Sequence, residues 1–304
     1  MSASSLVDAS PRQLGTQEVG PLAYGLWRFT TSDLDEATTL IETALDCGMN
    51  LIDAADVYGL DYGGKGFGAV EELLGAVLAR TPSLRERMVL ATKGGITPPT
   101  PYDSSPPALI AAVEASLRRL GVDHIDLYQI HRPDLLAHPA EVAGTLLELQ
   151  AQGKIGDLGV SNHTTAQTRA LLAHLGAGGA GLVSTQPEFS AVTLDPMRDG
   201  TFDLCMELDL TPLAWSPLGG GRLASGDGVR PELLAVLDRL AEREGVDRAT
   251  LAMAFVLANP SRPVAIVGSQ RPERITGSLK ALEVHLDRND VYDVVEASEG
   301  VPLP

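Results

Sequence analysis

One feature constrains this chain more than any other: a short apolar run followed by a longer amphipathic stretch, repeated eight times. The apolar runs are residues 21–26, 50–54, one ending at Lys93, 125–130, 155–160, 181–185, 211–215 and 263–267. Between and after them lie stretches with helical periodicity at 33–47, 69–80, 107–120, 139–152, 165–175, 196–208, 231–244 with 248–258, and 272–282. In the first of these, Ala37, Leu40, Ile41, Ala44 and Leu45 fall on one face, with Ser32 as the expected N-cap and Gly48 as the stop. Runs that are apolar throughout, rather than alternately polar, predict strands covered on both faces, which is the habit of a parallel sheet wrapped in helices. Eight such units predict an α/β fold, a single (β/α)8 TIM barrel, with an additional helix at the C-terminal end. No linker-like composition divides the chain. One domain over residues 1–304 is expected, its first 18 residues a loosely held arm.

Charge narrows the partners. A formal net charge of −17 argues against nucleic acid, whose recognition needs clustered Lys and Arg, and against anionic membrane surfaces. No run approaches the roughly 18 apolar residues of a membrane span, and the N-terminus lacks a basic, apolar leader. Cys47 and Cys205, far apart in sequence, read as two thiols rather than a disulfide, so a cytoplasmic location is expected.

Barrel geometry then makes a functional prediction. Active sites form at the C-terminal strand ends, where Asp53, Lys93, His131, Asn162, Gln186, Trp215 and Gly268 fall. A carboxylate at a buried strand end needs a cation, and Lys93 holds the matching place on the next strand. Tyr58, on the loop after Asp53, is too weak an acid alone; a neighbouring cation that favours phenolate would let it protonate a substrate oxygen. Any one of these residues has a bland structural explanation. Together, at three consecutive strand ends and one loop, they predict a polarising, proton-donating site without a strong nucleophile, suited to carbonyl reduction.

The segments Gly48 to Gly59, Ala91 to Gly94 and Leu127 to His131 resemble the Asp-and-Tyr, Lys and His signatures of the aldo-keto reductase superfamily, in that family's order. Ala214 to Leu223 is similar to a segment of its bacterial oxidoreductases. The resemblance spans Gly25 to Leu282. It implies Tyr58 as the acid, Lys93 and Asp53 as its tuning pair, and His131 as the orienting group.

Hydride must come from a cofactor. By the same resemblance, Ser161, Asn162 and Gln186 pair with a nicotinamide carboxamide, and Trp215 stacks on its ring, followed by Ser216 and Leu218. The run Gly219 to Leu223 allows close backbone approach to a pyrophosphate at Gly220, with charge from Arg222. Gly268, Ser269 and Arg274 lie where the family contacts the adenosine 2′-phosphate. Many members carry Lys at the place of Gly268 and an acidic–amide pair at Gly277 and Ser278. NADPH is therefore the expected cofactor with NADH possible, and looser adenine binding is implied.

Other motifs fail on context. Gly176 to Gly181 satisfies a dinucleotide fingerprint but follows a helix and precedes a strand; Gly59 to Lys65 lacks the Ser or Thr of a phosphate loop. No His pairs closely with another His or a Cys, so no metal site is expected. The leading expectation is a monomeric, NADPH-preferring enzyme reducing a small aldehyde or ketone. Two alternatives are a nicotinamide-binding sensor or regulatory subunit, and an NAD-dependent catabolic alcohol or sugar dehydrogenase.

Overall fold

Strands with two apolar faces need cover on both, and the computed structural model, which describes residues 5–178 and 181–303, supplies it with a closed barrel inside a ring of helices. The barrel strands are β3 (Leu22–Gly25), β4 (Leu51–Asp53), β5 (Val89–Gly94), β6 (Ile125–Ile130), β7 (Ile155–Ser161), β8 (Leu182–Gln186), β9 (Thr211–Ala214) and β10 (Val264–Val267), each parallel to the next, with β10 closing on β3. Helices α1 (Leu34–Asp46), α2 (Ala69–Arg80), α3 (Pro106–Leu120), α4 (Pro139–Ala151), α5 (Thr165–Ala177) and α6 (Thr201–Leu208) each follow a strand. The eightfold alternation therefore gives the expected α/β barrel. After β9 come a short α7 (Arg222–Ser225) and the pair α8 (Pro231–Glu244) and α9 (Arg248–Leu257), and after β10 come α10 (Pro272–Gly277) and the C-terminal α11 (Arg288–Glu299). α11 is fixed to α8 by Arg243, whose guanidinium lies 2.7 Å from Asp290.

Alternation along each strand sorts its side chains. Leu51, Val89, Ala91 and Leu127 belong to the core inside the barrel, while Leu90 and Tyr128 pack outward against the helices. Counting on by two from the inner residues reaches Asp53, Lys93 and Gln129. The same parity that builds the apolar floor thus aims these polar groups into the barrel at its upper end.

Several boundaries differ from expectation. The N-cap of α1 is Asp33, not Ser32: its side chain accepts from the Asp35 and Glu36 amides, and a carboxylate suits a helix start better than a hydroxyl one residue too early. The predicted helix 196–208 is a 3₁₀ turn, Asp195–Met197, and then α6, because Gly200 takes a left-handed conformation between them. Likewise the eighth helix passes into a 3₁₀ turn at Ser278–Glu283.

The larger correction concerns the N-terminal arm. Residues 1–4 lie outside the described residues, but from Arg12 the chain is anything but loose: β1 (Arg12–Leu14) and β2 (Gln17–Val19) form an antiparallel hairpin. Leu14 and Val19, both 1% exposed, join the inner barrel core, and the Thr211 hydroxyl donates to Gln13 O at 2.7 Å. Arg12 is buried, donating to Arg262 O at 2.9 Å and Asp8 O at 2.7 Å. A barrel needs its lower end closed to water, and only tertiary contact shows that this hairpin does it. Leu14→Ala should therefore cost about 3 kcal/mol in urea unfolding. A loose arm would register less than about 0.5 kcal/mol.

Candidate active site

The inward groups at the upper rim meet in one chain of contacts. Lys93 Nζ donates to Asp53 Oδ2 at 2.8 Å, to Ala54 O at 2.8 Å and to the Tyr58 hydroxyl at 3.1 Å. Asp53 Oδ1 accepts from Gln186 Nε2 at 3.0 Å and Gln129 Nε2 at 3.3 Å. Both ions are buried, so each depends on the other and on these amides. Tyr58 reaches the cluster because the chain beyond β4 keeps pairing with β5: the Ala54 amide donates to Ala91 O, the Asp56 amide to Lys93 O, and a turn returns the Tyr58 amide to Ala55 O.

Protonation follows from this packing. Burial works against the Lys93 charge, but Asp53 and Tyr58 more than offset it and raise its pKa above the ordinary lysine value. Burial raises the pKa of Tyr58; Lys93 lowers it in the expected direction without prevailing, and Asp53 adds to the rise. Tyr58 is therefore a phenol that retains its proton at neutral pH, as a proton donor must; the sequence had named the cation that lowers its pKa but not the burial that outweighs it.

His131 meets Tyr58 edge-on, ring centroids 5.8 Å apart. Burial, with the charges of Lys93 and Arg132, holds the His131 pKa well below its usual value, so the imidazole is neutral. Its Nδ1 is buried with no hydrogen-bond partner among the described residues. A proton there would be an unsatisfied donor, which favours the tautomer with the proton on Nε2.

Across the mouth, a second line of contacts joins β7, β8 and β9. Trp215 Nε1 donates to Asn162 Oδ1 at 3.1 Å, Asn162 Nδ2 donates to Ser161 Oγ at 2.8 Å, and Ser161 Oγ donates to Gln186 O at 2.9 Å. Asn162 and Ser216 both have left-handed backbones, with φ of 58° and 51°. Such conformations persist in non-glycine residues only where the surroundings impose them, and they concentrate at functional sites. Beyond Ser216 and Leu218, Gly219, Gly220 and Gly221 all have positive φ; Gly219 is buried against Val192, whereas Gly220 is exposed and leaves its backbone uncovered by any side chain. Arg28 donates to Gly220 O at 3.0 Å while its guanidinium lies over Trp27 and Tyr62, 5.4 and 5.0 Å from their ring centres. Arg222 and Arg274 are exposed, and Ser269 Oγ accepts from the Arg271 amide. Gly268 leaves open space, with only Gly25 O within 4 Å of where a Cβ would stand.

Sequence reasoning missed a buried layer behind Lys93. The residues on either side of it in β5, Thr92 and Gly94, face outward. Thr92 Oγ1 donates to Glu71 Oε1 at 2.6 Å, and Arg119 Nε donates to Glu71 Oε2 at 2.7 Å. A Cβ on Gly94 would stand 2.1 Å from the Tyr128 hydroxyl and 3.2 Å from Asp56 Oδ2, so only glycine fits. Glu71 was detectable: it lies three, four and seven positions before Leu74, Gly75 and Leu78, on the buried face of α2. Burial and then the nearby Glu71 charge push the Asp56 pKa up to about 8, against the pull of Arg119 and Lys93.

No side chain donates hydride, so a phenol held by a lysine at the mouth of a parallel barrel points to the nicotinamide-dependent oxidoreductases. Residues 21–299 match the model of the Aldo/keto reductase family, and the chain belongs to that family. It is accordingly an NAD(P)H-dependent oxidoreductase of carbonyl compounds. It is 49% identical over 298 residues to a 6-dehydroglucose reductase of Novosphingobium aromaticivorans, covering 96% of this chain and 97% of the relative. A 6-dehydroglucose reductase of Agrobacterium fabrum is 34% identical over 299 residues, with 93% and 95% covered. Among solved structures, a thermostable aldo-keto reductase in complex with the inhibitor epalrestat superposes with a TM-score of 0.80 at 27% identity, covering 95% of this chain and 99% of that one. Among the described residues no helix is long and apolar enough to cross a membrane, no group of three or more His, Cys, Asp or Glu could hold a metal ion, and both cysteines are free.

The buried acid makes a pH prediction. Because the folded-state pKa of Asp56 lies above the ordinary 3.8, the folded protein keeps a proton that the unfolded chain releases. Its contribution to stability is complete below pH 3.8 and is lost as pH rises through about 8. Asp56→Asn should remove this loss. Calorimetric scans at pH 5 and pH 8 should show the variant gaining on the wild type at the higher pH; a constant difference in Tm would show that Asp56 does not titrate in this range.

Proposed function

We propose that this chain is an NADPH-preferring carbonyl reductase in which Tyr58 is the general acid, yielding an alcohol reversibly. What supports it is the line from Asp53 Oδ2 through Lys93 Nζ to the Tyr58 hydroxyl, with steps of 2.8 and 3.1 Å. Tyr58 keeps its proton until a substrate oxygen takes up negative charge, and Lys93, held charged by Asp53, stabilises the phenolate left behind. Neutral His131, with its proton on Nε2, donates to the same oxygen and orients it. No metal is required.

The residues around the mouth suit the nicotinamide cofactor, which supplies the hydride when bound. Ser161, Asn162 and Gln186 hold the carboxamide; the Nε2 of Gln186 is taken by Asp53, so its contribution is Oε1. Trp215, fixed at Nε1 by Asn162, offers a flat face to the ring. Ser216, Leu218 and Gly220 present backbone to the pyrophosphate, with Arg222 supplying charge. Ser269 and Arg274 take the adenosine phosphate beside the open position at Gly268. α10 has six residues, so these side chains, rather than a helix dipole, select NADPH over NADH.

Two measurements test the assignment. Tyr58→Phe should lower kcat at least about 100-fold with small aldehydes and diketones while the dissociation constant for NADPH stays within about threefold. Ordinary turnover in the variant would refute the acid, and NADPH binding without turnover in the wild type would point to a sensor. Arg274→Ala should weaken NADPH about tenfold more than NADH, by the loss of a charge-assisted contact to phosphate. Equal effects on both would place the adenosine phosphate elsewhere.

A further inference from the structure

Most arginines of this acidic chain are matched to carboxylates: Arg80 to Asp35, Arg87 to Asp46, Arg119 to Glu71, Arg198 to Glu299, Arg243 to Asp290. Arg132 is an exception. It follows His131 at the end of β6 and is half-buried, yet its guanidinium has no carboxylate within 4 Å and donates to no acceptor among the described residues. It lies over the Trp215 ring, with Cζ 6.0 Å from the ring centre. The acid that feels its charge, Glu188 on the loop after β8, is outside ion-pair distance and also answers to Arg222. A half-buried guanidinium without an acceptor is an unfavourable arrangement unless something else supplies oxygens.

Its position says where those oxygens would come from. Arg132 directly follows His131, whose ring lies 5.8 Å from that of Tyr58, and its charge lowers the pKa of both, so it stands beside the groups that meet the reacting carbonyl. On the other side it borders Trp215. The phosphate-facing arginines, Arg222 and Arg274, follow β9 and β10, whereas Arg132 follows β6, next to the proton donor. A guanidinium presents two parallel N–H groups, which suit a pair of oxygens spaced as in a carboxylate or a vicinal diol.

We propose that Arg132 is the substrate's anchor: it grips paired oxygens on the substrate close to the carbonyl that Tyr58 protonates, and so selects hydroxylated or carboxylated carbonyl compounds over plain alkyl ones. The inference rests on the reductase function proposed above, and it assigns that site a substrate class. A fork of donors disfavours a substrate lacking the matching oxygens because the half-buried donors are then covered and left unpaired. Arg132 sets which carbonyl compound is held, while Tyr58, Lys93 and His131 act on the carbonyl itself.

The test compares the wild type with Arg132→Met and Arg132→Lys on three aldehydes with NADPH: glyceraldehyde, with vicinal hydroxyls; succinic semialdehyde, with a carboxylate; and butyraldehyde, with neither. In Arg132→Met the kcat/KM ratio of at least one oxygen-bearing aldehyde to butyraldehyde should fall about tenfold or more, mainly through KM. Which ratio falls identifies the oxygen pair. Arg132→Lys should recover more of a lost semialdehyde ratio than of a lost glyceraldehyde ratio, since it restores the charge but not the fork. An equal loss on all three aldehydes, or none, overturns the anchor. A second readout is independent of turnover: calorimetric binding of D-glycerate, which carries both oxygen sets, to the NADP⁺-loaded protein. Binding weakened about tenfold in Arg132→Met supports the anchor even if no aldehyde is reduced, in which case the reductase function alone fails. Equal binding to wild type and variant overturns the anchor whatever the turnover.

Discussion

The buried pair of Asp53 and Lys93 is the interaction on which the rest of this site depends. Removing either partner of such a pair costs about 3–5 kcal/mol, because the survivor is left charged in a medium that cannot solvate it. Each ion is therefore hemmed in: Lys93 by Asp53, Ala54 O and Tyr58, and Asp53 by the amides of Gln129 and Gln186. Those contacts draw on β4, β5, β6 and β8, half the barrel. A charge pair that needs so many neighbours also fixes where they stand, and Tyr58 is positioned as part of meeting that need.

β5 carries this tension on both faces. Inward it presents Lys93; outward it presents Thr92 to Glu71 and Gly94 to the gap between Asp56 and Tyr128. Glu71 is matched by Arg119, but Asp56 Oδ1 and the Tyr128 hydroxyl have no hydrogen-bond partner among the described residues. The strand that bears the cation is thus backed by acids, one neutralised by an arginine and the other by retaining its own proton. The left-handed backbones of Asn162 and Ser216 add a smaller strain on the far side of the mouth. Stability is given up at these places for a fixed arrangement of donors.

How much of this was visible beforehand varies by element. The barrel was legible because eight doubly apolar runs leave a chain few alternatives, and Asp53, Lys93 and His131 because parity at a strand end points a polar residue to the rim. The N-terminal hairpin was not legible: two three-residue strands carry no usable period, and the reason for Arg12 to be buried lies some 250 residues away, at Arg262 O. Nor was the second engagement of Gln186, which serves Asp53 as well as facing the mouth. The net direction of the Tyr58 pKa escaped for a related reason, since a sequence names the neighbouring cation but not the burial that opposes it.

By itself, the sequence determined the alternation of strands and helices, the inward parity of the polar strand ends and the excess of negative charge, because these depend on residue type and spacing along the chain. Tertiary structure alone decided which charges remain unmatched. Arg119 and Arg132 are the same residue type, near helix and strand ends; one meets Glu71 and the other meets no carboxylate among the described residues, and only the packing of α2 against α3 brings the first pair together while the second guanidinium is left beside Trp215. Electrostatic energy depends on distance and burial, and neither is a property of sequence separation.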